Sequence, residues 1–146
     1  MFDDMFKKIL IIEDDITYRD PMQDFLSARG FTIATADDGE MAMEKLLFHK
    51  PALVLLDLLL PKVHGFEVLK RIRSYPDEEI SKTPVVVLSN LSSEKDVETA
   101  QSLGISSYFV KSQASNEEIL KKIEEIVYPN GKPEGEEVLD FTKIQI

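Results

Sequence analysis

The stretch LVLLDLLLP, residues 53–61, places a single carboxylate, Asp57, among aliphatic residues. An apolar run of this length before a proline is typical of a buried strand, and Asp57 falls at its end. A buried carboxylate without a partner is strongly unfavourable, because it loses its hydration or must take up a proton. The rest of the chain is therefore expected to supply groups that compensate Asp57.

Four further apolar runs resemble this one, and an amphipathic stretch follows each run. Runs that are apolar at every position, such as ILII and VVVL, suit strands covered on both faces by helices. The alternation predicts an α/β domain with a doubly wound, five-stranded parallel sheet and five flanking helices. The predicted strands are KKILII at 7–12, FTIATA at 31–36, ALVLLD at 52–57, PVVVLS at 84–89 and SYFVK at 107–111.

The five helices are predicted from apolar residues at helical spacing between these runs. The first set of apolar positions follows Pro21, the second follows the turn ADDGE, the third follows Gly65, and the fourth ends at Gly104. The last helix is the clearest, because Ser115 and Glu118 form an S-x-x-E capping box in front of it.

The composition limits the class of protein. A length of 146 residues suits one domain, and 43% hydrophobic with 30% charged residues is typical of a globular chain. The absence of cysteine excludes disulfides and thiolate chemistry. The N-terminus has no signal-peptide layout and no apolar stretch reaches membrane-spanning length, so we expect a cytoplasmic protein without membrane contact. A net charge of -10 argues against direct nucleic-acid binding.

We expect residues 1–128 to form the domain and residues 129–146 to form a C-terminal tail. The sequence PNGKPEGEE after Tyr128 is turn-rich and charged, as in linkers. The last nine residues, VLDFTKIQI, are apolar again. They either dock on the domain, bridge two copies of it, or begin a segment of a longer chain.

Polar side chains that could carry chemistry follow four of the predicted strands. Glu13 and Asp14 follow the first strand, Asp57 the third, Ser89 ends the fourth, and Lys111 ends the fifth. The carboxyl ends of parallel strands meet at one edge, where open α/β folds bind ligands. If the first and third strands are neighbours, about 4.8 Å apart, the carboxylates lie close together and repel each other. A hard divalent cation would compensate them, and Mg²⁺ fits so small a cluster.

A metal site with these neighbours suits phosphoryl transfer. Asp57 can attack phosphorus and form an aspartyl phosphate, while Mg²⁺ and Lys111 neutralise the phosphoryl oxygens. The Ser89 hydroxyl can donate a hydrogen bond to a further phosphoryl oxygen.

The order and spacing of these residues resemble the receiver domain of two-component response regulators. The resemblance covers about residues 7–127 and includes the motif D-x-x-x-P-x-x-x-G at Asp57, Pro61 and Gly65, together with the segment ADDGEMAMEKL. It implies a flavodoxin-like fold with the strand order 2-1-3-4-5. It also implies the site: Asp57 accepts the phosphoryl group; Glu13, Asp14, Asp57 and the backbone carbonyl of Leu59 hold Mg²⁺; Lys111 and Ser89 contact the phosphoryl oxygens; Ser89 and Tyr108 form the switch.

By this resemblance the protein is a signalling domain and not an enzyme. A histidine kinase or phosphotransfer protein would supply the phosphoryl group, and a downstream protein target would read the phosphorylated state. Tyr108 would move inward and reshape the surface of the fourth helix, fifth strand and fifth helix, through which a homodimer could also form. Two alternatives stay open: a docking or dimerisation module without phosphorylation, and a Mg²⁺-dependent phosphohydrolase. A phosphohydrolase would usually carry a second acid at the position of Leu59.

Two departures from the receiver pattern bear on the site. Receivers usually have proline after the lysine, joined by a cis bond, whereas Ser112 follows Lys111 here; a cis bond before a residue other than proline costs about 2.5–4 kcal/mol. Either the bond is trans and Lys111 reaches the site differently, or the strain is carried elsewhere. Leu59 and Leu91 stand two residues past Asp57 and Ser89, at positions that in receivers flank the phosphoryl group. Leucine cannot orient water, so we expect a long-lived phosphorylated form.

Simpler roles are expected for the remaining polar and aromatic residues. Asp15 is predicted to cap the first helix. Tyr108 and Phe109 alternate along a short strand, so one is expected to face the core and the other to face outward at the sheet edge. His49 and His64 are expected in loops or at helix ends, without a chemical role.

Overall fold

A computed structural model describes residues 7–132 of the chain, so the predicted tail segment at 138–146 lies outside the described residues. Five parallel strands form one sheet in the order β2-β1-β3-β4-β5, which confirms the predicted fold class and strand order. The strands are β1 (Lys8–Ile12), β2 (Thr32–Ala36), β3 (Leu53–Leu56), β4 (Val85–Ser89) and β5 (Ser107–Val110).

Helices connect the strands and cover both faces of the sheet. Between residues 7 and 132, no helix combines the length and the apolar character that crossing a membrane requires. The helices are α1 (Ile16–Ser27), α2 (Gly39–His49), α3 (Gly65–Arg73), α4 (Glu78–Ser81), α5 (Glu94–Ser102) and α6 (Asn116–Val127).

The core consists of two apolar layers, one on each face of the sheet. Successive residues of a strand point to opposite faces, so Leu10 of β1 packs in one layer and Ile11 packs in the other. The layer with Leu10 includes side chains of α2, α3 and α5, and the layer with Ile11 includes side chains of α1 and α6. Strands β1, β3 and β4 are apolar at almost every position because both of their faces are buried.

Strand register places the chemistry-bearing residues side by side. In β1 and β3, Ile12 lies opposite Leu56, and the amide of Asp57 donates to the Ile12 carbonyl at 3.0 Å. The residue after Ile12 is Glu13, whose amide donates to the Ala36 carbonyl at 3.0 Å. The ends of neighbouring strands are therefore level, and their first loop residues share one edge.

The first helix includes residues on both sides of Pro21, and its start confirms the predicted cap at Asp15. It starts at Ile16, with Asp15 as the predicted N-cap, and the Asp15 side chain accepts from the Thr17 amide. Pro21 lies inside the helix. The helix can begin before the proline because the cap and the bond from the Arg19 amide to the Asp15 carbonyl, 2.9 Å, form its first turn.

The structure has six helices in residues 7–132 where five were predicted. The additional one, α4, has four residues, and its only buried side chain is Ile80. So short an element shows no helical periodicity, although Asp77 caps it by accepting from the Glu79 amide at 3.0 Å. The predicted surface of the fourth helix, fifth strand and fifth helix therefore corresponds to α5, β5 and α6. The predicted capping box at Ser115 and Glu118 of α6 is confirmed.

Candidate functional site

Three carboxylates meet at the carboxyl edge of β1 and β3. Glu13 and Asp57 are buried, with 3% and 5% of their surfaces exposed, while Asp14 is exposed. One oxygen from each of the three side chains lies within 4.8 Å of the others. Carboxylate oxygens are the ligands that Mg²⁺ prefers, and the close spacing favours a bound cation. The donor set therefore fits the predicted metal.

Lys111 lies against the two buried carboxylates. Its Nζ is 2.9 Å from Asp57 Oδ2 and also forms an ion pair with Glu13, and only 10% of its side chain is exposed. The backbone amide of Lys111 donates to the Ser89 carbonyl at 3.0 Å, which continues the β4–β5 pairing. The described residues contain no cis peptide bond, so Lys111 reaches Asp57 with a trans bond to Ser112. Of the two alternatives for this loop, the trans form is the one observed.

The charges of this cluster depend on one another. Burial raises the pKa of Glu13 to about 7; its hydrogen bond with Lys111 opposes that rise and the negative charge of Asp57 adds to it. Burial lowers the pKa of Lys111, but its hydrogen bonds with Glu13 and Asp57 outweigh burial and raise the pKa overall. Lys111 is therefore held in its charged form beside the two buried carboxylates.

The loop after β3 is built around Asp57. Asp57 Oδ1 accepts from the Leu59 amide at 3.1 Å, and the Gly65 amide donates to the Leu58 carbonyl at 2.9 Å. The Leu59 side chain itself is 49% exposed. The contact with Asp57 therefore uses the Leu59 backbone, and metal ligation by the Leu59 carbonyl stays a prediction.

The beginning of α2 supports the same loop from outside. The Gly39 amide lies 3.5 Å from the Pro61 carbonyl oxygen, and Lys62 Nζ lies 3.4 Å from Asp38 Oδ2. A Cβ added at Gly39 would lie 2.4 Å from the Val63 carbonyl oxygen, so the position accepts only glycine without a shift. The segment ADDGE thus contributes a close backbone contact to the loop that carries Leu59.

Ser89 and Tyr108 are joined through the backbone of Leu91. Ser89 is fully buried, and its Oγ accepts from the Leu91 amide at 3.3 Å. The Tyr108 hydroxyl donates to the Leu91 carbonyl at 2.5 Å. Within residues 7–132, no hydrogen bond joins Ser89 to Asp57. Both predicted switch residues therefore contact the backbone of Leu91, and in the part of the chain that the structure describes Ser89 makes no hydrogen bond with Asp57.

The expectation for Tyr108 and Phe109 needs correction. Neither side chain faces outward alone, because Tyr108 packs against one apolar layer and Phe109 packs against the other, and both are half-buried. The prediction failed because the edge strand β5 has helices beside both of its faces.

Two residues at the site were not found from the sequence. The ring of Tyr18 lies 4.6 Å from Lys111 Nζ, measured to the ring centroid. Arg19 donates to the Glu13 carbonyl at 3.3 Å and forms an ion pair with Asp37. The available signal was the position of both residues directly after the predicted cap at Asp15, but neither belongs to the apolar set from which the helix was predicted.

The two histidines lie where the sequence predicted. His64 is the N-cap of α3 and its Nδ1 accepts from the Phe66 amide at 3.2 Å. His49 is the last residue of α2, and burial lowers its pKa first, with the charges of Lys8 and Lys45 adding to that effect. Both histidines are thus at helix ends.

Known regulatory proteins are similar to this chain in sequence. A probable transcriptional regulator, ycf27, of Cyanophora paradoxa is 31% identical over 96% of this chain and 59% of its own length. The alkaline phosphatase synthesis transcriptional regulatory protein PhoP of Bacillus subtilis is 35% identical over 73% of this chain and 43% of its own length. The chain therefore spans about half the length of these relatives.

Solved structures agree with the fold. The chemotaxis protein CheY4 of Vibrio cholerae has a TM-score of 0.75 and 25% identity, covering 83% of this chain and 98% of that chain. The phosphorylated cyanobacterial phytochrome response regulator RcpA has a TM-score of 0.73 and 33% identity, and the match covers 88% of this chain and 99% of that chain. The response regulator receiver domain, as a family, matches residues 9–124. With its strand order, its acidic edge and this match over most of its length, the chain belongs to the response regulator receiver domain family.

Proposed function

We propose that this receiver domain is a phosphorylation-controlled switch with Asp57 as its phosphoacceptor. The observation that carries the proposal is the surroundings of Asp57: a buried carboxylate with Lys111 Nζ 2.9 Å from Oδ2 and two further carboxylates nearby. A nucleophile held beside a fixed cation is what transfer of an anionic group requires.

The transfer is a displacement at phosphorus. An oxygen of Asp57 forms a bond to phosphorus while the bond from phosphorus to the donor atom breaks, and the donor leaves with the electron pair. Lys111, already charged beside Asp57, stabilises the negative charge on the phosphoryl oxygens. Ser89 would donate its hydroxyl to a phosphoryl oxygen, which needs a movement of the loop at Leu91, whose carbonyl accepts from Tyr108.

Receiver domains generally use Mg²⁺ at an acidic pocket, and the carboxylates of Glu13, Asp14 and Asp57 with the carbonyl of Leu59 would hold it here. When bound, the ion would neutralise charge on the transferred group. The acidic side chains supply only oxygen ligands, and no cysteine is present in the chain. Mg²⁺ therefore suits the donor chemistry better than zinc.

Receiver domains interact with histidine kinases or phosphotransfer proteins and with downstream targets. For this chain we propose a kinase or phosphotransfer protein as donor and a protein target or a second copy at the surface of α5, β5 and α6. Direct nucleic-acid or membrane binding is not expected from the net charge of -10 and the apolar pattern. A cytoplasmic location and the role of the tail at 129–146 stay predictions.

The alternatives have less support. A docking module without phosphorylation was suggested by the Lys111-Ser112 sequence, but Lys111 contacts Asp57 despite it. A phosphohydrolase would need an acid at the position of Leu59, whose side chain is apolar. We therefore infer signalling and not turnover.

The first test is the intact mass of the protein after incubation with acetyl phosphate. One phosphoryl adduct is expected with Mg²⁺, and none with a chelator or in the Asp57→Asn variant, which keeps the size of the side chain but removes its charge. Asp20→Asn, at an exposed acid of α1, is the matched control and should accept the group normally. An adduct that persists in Asp57→Asn would contradict the assignment of the phosphoacceptor.

A second prediction concerns the lifetime of the phosphorylated form. Replacing Leu59 with Asn should accelerate loss of the phosphoryl group severalfold, because an amide can orient water beside the acyl phosphate. The supporting bond to Asp57 comes from the backbone amide, so the substitution leaves it in place. Decay is followed by intact mass after the phosphodonor is removed, with Leu59→Met as the apolar control. If the wild type loses its phosphoryl group rapidly and Leu59→Asn loses it no faster, the prediction is wrong.

A further inference from the structure

Within residues 7–132, the ammonium of Lys111 contacts two carboxylates and one aromatic ring. Asp57 and Glu13 bind it ionically, and the ring of Tyr18 lies 4.6 Å from Nζ to the centroid. That distance is within the range of a cation–π contact. Tyr18 is half-buried in the first turn of α1, which begins directly after the acidic residues.

Tyr18 also lines a small cavity next to the two buried carboxylates. Together with Glu13, Asp57 and apolar side chains of β1, β3, β4 and α1, it lines a cavity of about 10 Å³. Such a volume accepts about one water molecule. Burial raises the pKa of the Tyr18 hydroxyl, so the ring beside Lys111 is neutral near pH 7.

We propose that Tyr18 is a positioning residue for phosphoryl transfer: its ring holds the Lys111 ammonium at Asp57 while the carboxylates around it change partners. The inference rests on the proposed function of Asp57. It assigns Tyr18 no contact with the phosphoryl group and no proton transfer.

The carboxylates and the Tyr18 ring differ in whether they can keep their contact with Lys111 during phosphoryl transfer. Glu13 and Asp57 are carboxylates, which a divalent cation would also bind, and Asp57 loses its full negative charge once an oxygen forms the bond to phosphorus. An aromatic ring is not a ligand for a hard cation, so Tyr18 can keep its contact with Lys111 throughout. A lysine side chain is a flexible point charge and needs such a contact to stay in one place.

A purely structural role for Tyr18 makes a different prediction. If Tyr18 only filled the layer on the α1 side of the sheet, leucine would replace it nearly as well as phenylalanine. If the ring acts on Lys111, phenylalanine should retain the effect and leucine should lose it. Tyr18→Phe and Tyr18→Leu therefore separate the two roles.

The first readout is independent of phosphorylation. In proton–carbon NMR spectra of the wild type, the ε-methylene protons of Lys111, assigned with Lys111→Arg, should be shifted upfield from those of other lysines by the ring current. The shift should persist in Tyr18→Phe and vanish in Tyr18→Leu. Unchanged Lys111 signals in Tyr18→Leu would overturn the proposal. Tyr75→Leu, which removes a partly buried ring from the opposite face of the sheet, is the control.

The second readout is the rate of phosphorylation by acetyl phosphate with Mg²⁺. A loss of about fivefold is expected in Tyr18→Leu, and less than about twofold in Tyr18→Phe and Tyr75→Leu, in line with a partly desolvated cation–π contact. Equal rates in Tyr18→Leu and the wild type would overturn the positioning role. If the wild type itself accepts no phosphoryl group, the proposed function fails; a ring-current shift would then establish the contact, and its role in transfer would fall.

Discussion

Replacing Lys111 with methionine is expected to lower the free energy of unfolding by about 3 kcal/mol at pH 8 without divalent cations. The substitution keeps the length of the side chain but removes the charge that binds Asp57 and Glu13, whose side chains are only 6% and 4% exposed. Two buried carboxylates would then face each other without a cation. Phosphorylation by acetyl phosphate should also slow by about 100-fold, because the cation that we propose stabilises the phosphoryl oxygens is lost.

Urea unfolding followed by circular dichroism measures the stability loss. Lys70→Met, at an exposed lysine of α3, is the matched control and should stay within about 0.5 kcal/mol of the wild type. Adding Glu13→Gln to Lys111→Met should recover much of the loss, since one carboxylate then remains. Addition of Mg²⁺ should also stabilise the Lys111→Met variant by binding the folded state. If Lys111→Met alone were as stable as the wild type in the presence of a chelator, the stability of the two buried carboxylates would not depend on Lys111.

The loss in Lys111→Met should also depend on pH. Burial raises the pKa of Glu13 to about 7 in the folded protein, above its ordinary value of 4.5. A carboxyl group with a raised pKa stabilises the folded state at low pH, and this contribution is lost as the pH rises to about 7. Without Lys111 the pKa of Glu13 should rise further. The difference between wild type and Lys111→Met should therefore shrink between pH 8 and pH 6, and a constant difference would contradict this account.

Replacing Gly65 with alanine is expected to lower the free energy of unfolding by about 3 kcal/mol. An added Cβ would lie 2.4 Å from Leu58 Cα and 2.7 Å from the Asp57 carbonyl oxygen. Both atoms belong to the backbone, so no side chain can rotate away, and the loop after β3 must shift against α3. Alanine favours a helix over glycine by only about 1 kcal/mol, which is too little to reverse the effect.

The same shift should disturb the site, because the loop carries the Leu59 amide that donates to Asp57 Oδ1. Slower phosphorylation by acetyl phosphate is therefore expected along with the stability loss measured in urea. Gly30→Ala is the matched control: Gly30 has φ +92° but no atom within 4 Å of an added Cβ, so only a backbone penalty of about 1–2 kcal/mol applies. Equal losses at Gly65 and Gly30 would show that the close approach at Gly65 is relieved without cost.

Several parts of the site could be predicted because they depend on local pattern and strand order. Asp57 ends an apolar run, and in a parallel sheet the residues after such runs share one edge. Its proximity to Glu13 could be predicted once the first and third strands were taken as neighbours, as the receiver resemblance implies. The Asp15 cap and the capping box of α6 could also be predicted, because each uses residues within a few positions of one another.

Other parts could not be predicted because they depend on contacts between distant segments. The role of Gly39 arises from a loop more than twenty residues later, whose Val63 carbonyl leaves no room for a Cβ. The half-buried state of Tyr108 and Phe109 arises from helices on both sides of the edge strand. The short helix at Glu78–Ser81 has one buried residue and no periodicity to detect.

By itself, the sequence determined the class of fold, the strand order implied by its receiver motifs, and the identity of the acidic residues, Ser89 and Lys111 at one edge. These follow from periodicity and from residue types at strand ends, which are local properties. Only the tertiary structure decided that Lys111 reaches both buried carboxylates with a trans bond to Ser112, that Leu91 joins Ser89 to Tyr108, and that Tyr18 faces the ammonium. Those contacts join residues from separate strands, loops and helices, and their distances are set by packing and not by spacing along the chain.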